Sequence, residues 1–385
     1  MLKPARCIAL LTVLLLLGTW GPQAAAQHHH ASSRVITFPD VPGYHTLKVD
    51  LHTHTVFSDG SVWPTIRVEE ALRDGLDAIA MTDHLEYQPH AADIPHPDRN
   101  RSYEVALAAA EEHDLIVING SEITRDMPPG HANAVFIQDA NPLLQDDVMA
   151  VFREAERQGA FTFWNHPMWT AQNPTGITTL TDMHRQLVQE GLLDGIEVVN
   201  QHNYSAEALQ VALDHDLTIL GTSDIHGLVD WEYEVPHGGH RPITLAFASE
   251  RTAESLQDAL QAGRTAVWHD NLLIGREEHI TPLIQASLTV QDAQYVGDSS
   301  VLEVAIANTS DAAFVLDRQR GPTFHSRADV IEIAPNGTTR LQVKPGERVR
   351  ATTLAFEVLN AVMAPETHPV VTFEIDVTDA ETNDS

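Results

Sequence analysis

The sequence predicts an α/β barrel of alternating strands and helices, followed by a C-terminal β-sandwich. Three observations carry this expectation. From residue 47 to about 274, apolar runs of strand length alternate with amphipathic helical segments, the pattern of parallel βαβ units. Beyond about residue 282 helical periods fade, and short strand-like runs separated by turns take over, as in a small sandwich. Histidine and carboxylate residues also recur just where the apolar runs of the first part end, which is where a parallel barrel gathers its functional groups.

With 385 residues the chain has room for two domains, each with its own core. Lys3 and Arg6, an apolar run over 8–17 and Ala24-Ala25-Ala26 read as a secretory signal peptide over 1–26, cleaved before Gln27. The run is short for a membrane span, so an uncleaved anchor is the weaker alternative. The expected location is therefore periplasmic or secreted. Cys7 is the single cysteine and leaves with the signal, which excludes disulfides, Cys-ligated zinc and a cysteine nucleophile from the mature protein. Residues 27–43, including His28 to His30, are expected to form a flexible N-terminal segment.

The barrel is expected over 44–281. Its strands are predicted at 47–51, 78–81, 115–118, 133–137, 160–163, 195–199, 218–220 and 243–247. Helices are predicted at 64–73, with Pro64 at the first helical position and Gly75 at the stop, and at 103–113, 146–158, 205–214 and 252–262. The sandwich is expected over 282–385, with strands at 283–292, 301–308, 313–316, 330–334, 338–343, 354–359 and 370–377. Asn336-Gly337 reads as a hairpin turn between two of them. No catalytic grouping appears in this part, and its expected role is packing, with glycan or surface binding a weaker option.

The formal net charge of -31 argues against a standing nucleic-acid partner. Membrane association beyond export is not expected. Bound divalent ions would offset part of the charge locally and let a phosphate approach.

Two motifs share one spacing at strand ends. His52-Thr53-His54 and Asp224-Ile225-His226 each place two side chains in the same direction. The first pair alone is equally well read as ordinary polar residues at a strand mouth; the second raises the functional reading. Asp59, His84, Glu122, His131 and His166 add further ligand types, and Pro167 would stiffen the loop after His166. Glu122 can bridge two ions with its two oxygens, and a buried unpaired glutamate would otherwise be costly. Imidazole and carboxylate suit divalent Zn, Mn and Fe. The set predicts a multinuclear metal centre and a hydrolase.

In this order, His52-Thr53-His54, Ser58-Asp59-Gly60, Thr82-Asp83-His84, Glu122, His131, His166 and Asp224-Ile225-His226 resemble the polymerase-and-histidinol-phosphatase (PHP) superfamily. The resemblance covers about residues 47–275. It implies a distorted (β/α)7 TIM-like barrel, two or three divalent ions (Mn, Fe or Zn) and cleavage of phosphate esters. Carried over, His52, His54, Glu122 and Asp224 would hold one ion; Glu122, His131 and His166 a second; Asp59, His84 and His226 a third. Many members carry histidine near Asp59, so the third site departs from the pattern there.

A narrower resemblance rests on Glu86 to His90, Arg101 to Glu104, Thr124 to His131 and Gly263 to Trp268. These stretches are similar to the exported Sb-PDE branch, which implies hydrolysis of small alkyl or aryl phosphodiesters.

The expected chemistry is attack on phosphorus by hydroxide generated between the ions. Glu122 and Asp224 would position the ions, and Arg125 would stabilise the phosphoryl oxygens, with Arg99, Arg101 and Arg241 as weaker candidates. The alternative for Arg125 is a solvated or paired arginine. His84 or His226 would protonate the leaving group if the third ion is absent, and His202 or His240 if it is present. Trp169 and Tyr204 can wall an organic group or simply anchor loops; Trp164 reads as scaffold. The expected partner is a small-molecule phosphodiester. A metal-dependent phosphomonoesterase, which would want extra basic side chains near Arg125, and a non-catalytic metal-binding protein are the alternatives.

Overall fold

The computed structural model describes residues 35–378. The expected signal peptide, Cys7 and His28 to His30 lie outside the described residues.

The first strand, β1 (His45–Asp50), pairs in parallel with β2 (Ala78–Met81), and β2 with β3 (Ile116–Ile123). Next, β4 (Ala132–Val135) runs antiparallel to both β3 and β5 (Phe161–Trp164). Parallel pairing resumes from β5 to β6 (Gly195–Asn200). The short β7 (Asn203–Tyr204) folds back on β6, whose other neighbour is the parallel β8 (Thr218–Thr222). On the far side of β1, β9 (Ile243–Ala248), β10 (Thr265–His269) and β11 (Leu272–Gly275) are all antiparallel.

The distortion of the barrel thus lies in its strand directions, where alternation had predicted parallel units throughout. Between β3 and β4 the connection is too short for the crossover that a parallel pair requires. Between β10 and β11 only Asp270 and Asn271 intervene, with φ of 43° and 63°, the two left-handed residues of a tight hairpin. Neither β10 nor β11 was anticipated.

Closure between β8 and the β9–β10 pair is made by hydroxyls rather than by a strand ladder. Thr244 Oγ1 accepts from Gly221 N at 3.0 Å and donates to Gly221 O at 2.9 Å, and Thr265 Oγ1 donates to Ile219 O at 2.8 Å. A Cβ on Gly221 would sit 2.2 Å from Val267 Cγ1. Only glycine lets the strands come this close, and the threonines satisfy the backbone groups left without partners.

Helix boundaries follow local chemistry. In α1 (Pro64–Asp74) proline opens the helix and Gly75, at φ 68°, closes it. Asp147, Thr181, Ser205 and Thr252 cap α3 (Val148–Arg157), α4 (Asp182–Gln189), α5 (Ala206–Asp214) and α7 (Ala253–Gln261), each side chain accepting a first-turn N–H. Two further helices are α2 (Arg101–Ala110) and the short α6 (Val229–Glu232). The chain leaves the barrel through α8 (Glu277–Ser287), and β12 (Leu288–Tyr295) begins only there. This corrects the strand expected at 283–292: Ile280, Leu283, Ile284 and Ser287 are buried at helical spacing, and Pro282 sits within the helix instead of marking its boundary.

The C-terminal part is two four-stranded sheets. One contains β12, β13 (Leu302–Asn308), β15 (Thr323–Phe324) and β17 (Gly337–Lys344); the other contains β14 (Phe314–Arg320), β16 (Val330–Ile333), β18 (Ala351–Val358) and β20 (Val370–Asp376). Asn336-Gly337 is not a hairpin turn. It carries the chain from β16 in one sheet to β17 in the other, with Asn336 at φ 48° and its N–H on Ser310 O at 3.0 Å.

Sandwich and barrel are joined through backbone and core. The short β19 (Ala361–Val362) adds in parallel to β11. Asn360 donates to Asn271 O and Ala313 O at 2.7 and 2.8 Å, and accepts from Val315 N at 2.8 Å. Trp268, Leu273 and Ile280 of the barrel share one apolar cluster with Leu316, Phe356 and Ile375 of the sandwich. Residues 35–43 also belong to this core, against the expected flexibility of 27–43: Ile36, Phe38 and Val41 are buried, and Phe38 packs edge-on against Trp268.

Candidate metal centre

Every expected ligand lies at one rim of the barrel, and the backbone there is tied beyond the strand ends. Thr53 bridges to Ile225 and His84 to Glu122, while Leu85 N donates to Glu122 O at 2.8 Å and His54 N to Ile225 O at 3.1 Å. Gly60 permits the Asp59 loop to fold onto this framework, since a Cβ there would meet Thr55 N at 2.7 Å. His166 and Asp224 adopt φ of 29° and 46°. Two non-glycine residues held in the left-handed region are strained, as is common at functional sites.

His52 Nε2 and His54 Nε2 face one another at 3.0 Å, and Asp224 Oδ1 lies 3.2 and 3.0 Å from them. Glu122 is central. Its Oε1 is 3.4 Å from His52 Nε2, 3.1 Å from His131 Nδ1 and 3.3 Å from His166 Nε2; its Oε2 is 2.6 Å from His84 Nδ1. Asp59 forms the outer corner, with Oδ1 3.1 Å from His226 Nε2 and Oδ2 3.4 Å from His84 Nε2. Among the described residues, three groups have donor atoms close enough to share an ion: His52, His54 and Glu122; His84, Glu122 and His131; and His54, Asp59, His84 and His226. Relative to the expected sets, His84 reaches inward to Glu122 and His54 also reaches outward to Asp59.

The residues fit divalent cations. Glu122 Oε2, Asp59 Oδ1 and His166 Nδ1 are buried without a hydrogen bond of good geometry, and imidazole nitrogens converge on one another and on shared carboxylate oxygens. That donor set is nitrogen and oxygen only, as suits Zn, Mn or Fe.

Electrostatics tell the same story. Burial alone would raise Glu122, but the charges of His84 and His52 with the contacts of His131 and His166 hold it well below the usual carboxylate range. Asp224 and Asp59 are likewise held low against burial, Asp224 by His52 and His54, Asp59 by His226 and His84. His84 is pushed up to about 10, its desolvation outweighed by Glu122 and Asp59. His54 is driven down to about 4 by burial and by the charge of His226.

A ring of polar residues that sequence reasoning missed holds the ligands. Glu197, fully buried in β6, lies 2.7 Å from His52 Nδ1 and accepts from His166 N and Thr222 Oγ1, each at 2.6 Å, and from Asn200 Nδ2 at 2.9 Å. A carboxylate in a strand that is buried along its whole length was the signal available. Asp83 accepts from Thr55 N, Thr55 Oγ1 and Ser58 Oγ at 2.7 to 2.8 Å, and Asn165 Nδ2 donates to Glu122 Oε1 at 2.8 Å. Arg67, 1% exposed, donates to the carbonyls of His54, Ile225 and Gly227 at 2.9, 3.0 and 2.8 Å and pairs with Glu70 at 2.7 Å. Such outer contacts fix ligand orientation.

The basic and acid candidates fare differently. Arg125 is tied to Glu86 at 2.9 Å and to Gln145 O, so its guanidinium has a paired, structural position. Arg241 is no rim residue: it is buried on Asp50 and Asp74, at 3.0 and 2.8 Å. Arg99 donates to Leu85 O and His96 O, and Arg101 pairs with Glu104 on α2. His240 stacks on Trp268 at 3.5 Å and does not line the cavity at the ligands, and His202 is exposed beside Glu232. Trp164 stacks on His184 as scaffold. Trp169 lies edge-on to His166 at 5.1 Å and tilted against His131 at 5.7 Å, and is 46% exposed. It walls a cavity of about 290 Å³ that opens onto Asp59, Glu122, Asp224 and the imidazoles of His84, His131, His166 and His226, and continues to Asn200, Gln201 and Asn203. Tyr204 is not among its lining residues. No lysine or arginine lines it among the described residues.

The PHP domain pattern matches residues 50–233, and that of an Ig-like domain matches 288–374. A solved two-domain protein from Bacteroides vulgatus, described as containing a predicted PHP-like metal-dependent phosphoesterase, is 41% identical. It superposes with a TM-score of 0.83 over 89% of this chain and 98% of its own. An amidohydrolase from Chromobacterium violaceum with bound sulfate is 17% identical, with a TM-score of 0.34 over 46% of this chain and 87% of its own. An uncharacterised protein of Methanocaldococcus jannaschii is 38% identical over 88 residues, which are 22% of this chain and only 36% of that relative's length. With its rim of histidines and carboxylates in PHP order and a two-domain relative matched almost end to end, the chain belongs to the PHP family.

Proposed function

We propose that this protein is an exported metal-dependent phosphodiesterase that hydrolyses small alkyl or aryl phosphodiesters. The observation that carries the reading is the cavity itself. One end is the ligand cluster, and the walls offer Trp169 and Met168 but neither lysine nor arginine among the described residues. A monoester, with two negative charges, would want cationic side chains there; a singly charged diester with organic arms does not. Membership of the PHP family and the resemblance to a protein described as a PHP-like metal-dependent phosphoesterase agree with it.

His52, His54, Asp59, His84, Glu122, His131, His166, Asp224 and His226 would hold two or three Mn, Fe or Zn ions. Bound there, such ions activate water and neutralise charge on the phosphoryl group. The chain's own residues do the rest. Glu197 and Arg67 keep the ligand loops in register, and Trp169 shields one side of the cavity from water. With the third ion absent, His226, the more exposed of the two outer imidazoles His84 and His226 and backed by Asp59 at 3.1 Å, would be placed to deliver a proton to a departing alkoxide or phenoxide. With Arg125 engaged by Glu86, phosphoryl charge is left to the ions and to neutral donors.

The test compares bis(p-nitrophenyl) phosphate with p-nitrophenyl phosphate on protein as isolated, after chelation, and after reloading with Mn, Fe or Zn. Metal-dependent turnover favouring the diester is expected. Preference for the monoester would move the function to a phosphatase, and no turnover with any ion would leave a metal-binding protein. Export is checked by N-terminal sequencing of the secreted protein, with Gln27 the expected first residue.

A further inference from the structure

The turn between β6 and β7 brings three carboxamides, Asn200, Gln201 and Asn203, to the cavity wall beside Asp224. Each plays a different part. Asn200 spends its amide on Glu197 at 2.9 Å and Asp224 at 3.3 Å, which fixes the base of the turn. Gln201 is held in the left-handed region at φ 51°, its N–H on Thr222 O at 3.2 Å. Its Nε2 reaches Asp224 O and Asp224 Oδ2 only at 3.4 Å each, long contacts that a closer acceptor in the cavity would outcompete. Asn203 is exposed at the rim. A glutamine in a strained backbone conformation, at the wall of a cavity that no lysine or arginine lines among the described residues, marks a position built for the side chain it presents.

We propose that this turn is the specificity element of the cavity: Gln201 and Asn203 offer neutral donors to the phosphoryl oxygens, and thereby favour a singly charged diester over a doubly charged monoester. The inference rests on the phosphodiesterase reading and deepens it by naming the residues that discriminate. Neutral amides can satisfy a phosphoryl oxygen, but they do not offset the second charge of a monoester; a guanidinium would. Specificity then comes as much from what the wall withholds as from what it provides.

The experiment replaces each amide with arginine, Gln201→Arg and Asn203→Arg, in the full metal-loaded chain. Two readouts are taken: kcat and KM for the two p-nitrophenyl esters, and the thermal shift given by dimethyl phosphate against methyl phosphate at a pH where the latter carries two charges. Each arginine is expected to raise the monoester-to-diester ratio of kcat/KM by about tenfold, mainly through KM, which corresponds to about 1.4 kcal/mol. The preference in thermal shift should move toward methyl phosphate in parallel. Unchanged ratios and unchanged thermal preference in both variants, with melting temperatures near wild type, would overturn the proposal. Asn203 is exposed, so that variant keeps the test decisive if Gln201→Arg is unstable. Wild-type protein that turns over neither ester would refute the phosphodiesterase reading alone; the thermal shifts would still decide whether the turn discriminates by charge.

Discussion

The rim of the barrel and the C-terminal sandwich are built on opposite economies of burial. In the sandwich, β20 alternates exposed and buried residues along its length, and Phe314, Leu316, Leu341 and Phe356 are fully buried. Each such side chain favours folding by leaving water. At the rim, His52, His54, Glu122 and Glu197 are equally buried, yet every one of them costs desolvation that only partners can offset. The contrast teaches where stability comes from and where function resides. The apolar cluster shared by barrel and sandwich supports a polar centre that does not stabilise itself.

If that contrast is right, disturbing the rim should cost activity and metal far more than disturbing the sandwich. The largest effect belongs to Glu122, which lies within 3.6 Å of five imidazoles, those of His52, His54, His84, His131 and His166. Glu122→Ala is expected to lower kcat/KM for bis(p-nitrophenyl) phosphate by about a thousandfold or more and to reduce bound metal, measured by elemental analysis. Loss of activity with full metal content would break the claim that this residue bridges the centre.

Next comes the support behind the ligands. Arg67→Met leaves Glu70 and three carbonyls without their shared donor, a loss of about 3–5 kcal/mol by analogy with other broken buried ion pairs, readable by urea unfolding. Phe356→Ala in the sandwich should cost a similar amount, about 3–5 kcal/mol, but leave metal affinity unchanged. Equal loss of metal in both variants would erase the distinction between the regions. Glu197→Gln, which removes the charge behind His52, is expected to weaken metal binding by about 10- to 100-fold with little change in fold.

Much of this was legible beforehand, for identifiable reasons. His52, His54, Glu122 and Asp224 stand at the ends of apolar runs, and strand ends are easy to see. Glu197 stands inside one, where a single buried carboxylate reads as noise until its partners, 145 positions away at His52, are brought beside it. For Arg125 the sequence left a phosphate contact and a paired arginine both open, because proximity to Glu122 says nothing of Glu86, which it meets at 2.9 Å. The antiparallel strands escaped because alternation reports burial and not direction; the two-residue turn at Asp270-Asn271 was the one local clue. The Asn336-Gly337 turn shows the reverse error: a left-handed turn signal is local, and whether it joins one sheet or two is decided by packing.

Outside that comparison, a pH dependence of stability is expected away from the metals. His184 is buried against Trp164 and near Pro129 O, and burial drives it from 6.5 down to about 4. Below 6.5 the unfolded chain takes up a proton that the native state refuses until about 4. The unfolded state thus binds more protons in that window, so the contribution is present above it and is lost as pH falls through it. The slope is at most one proton, and the total up to about 3 kcal/mol. His184→Gln should flatten this window in chemical denaturation at stepped pH; an unchanged slope would mean that other groups govern it.

The most direct test of the centre is anomalous diffraction from crystals of the full chain soaked with manganese. The account predicts at least two peaks at the rim, one within bonding distance of His52, His54, Glu122 and Asp224, and another sharing Glu122 with neighbouring imidazoles. Crystals with no peak at these residues, under conditions where the protein turns over a diester, would contradict it.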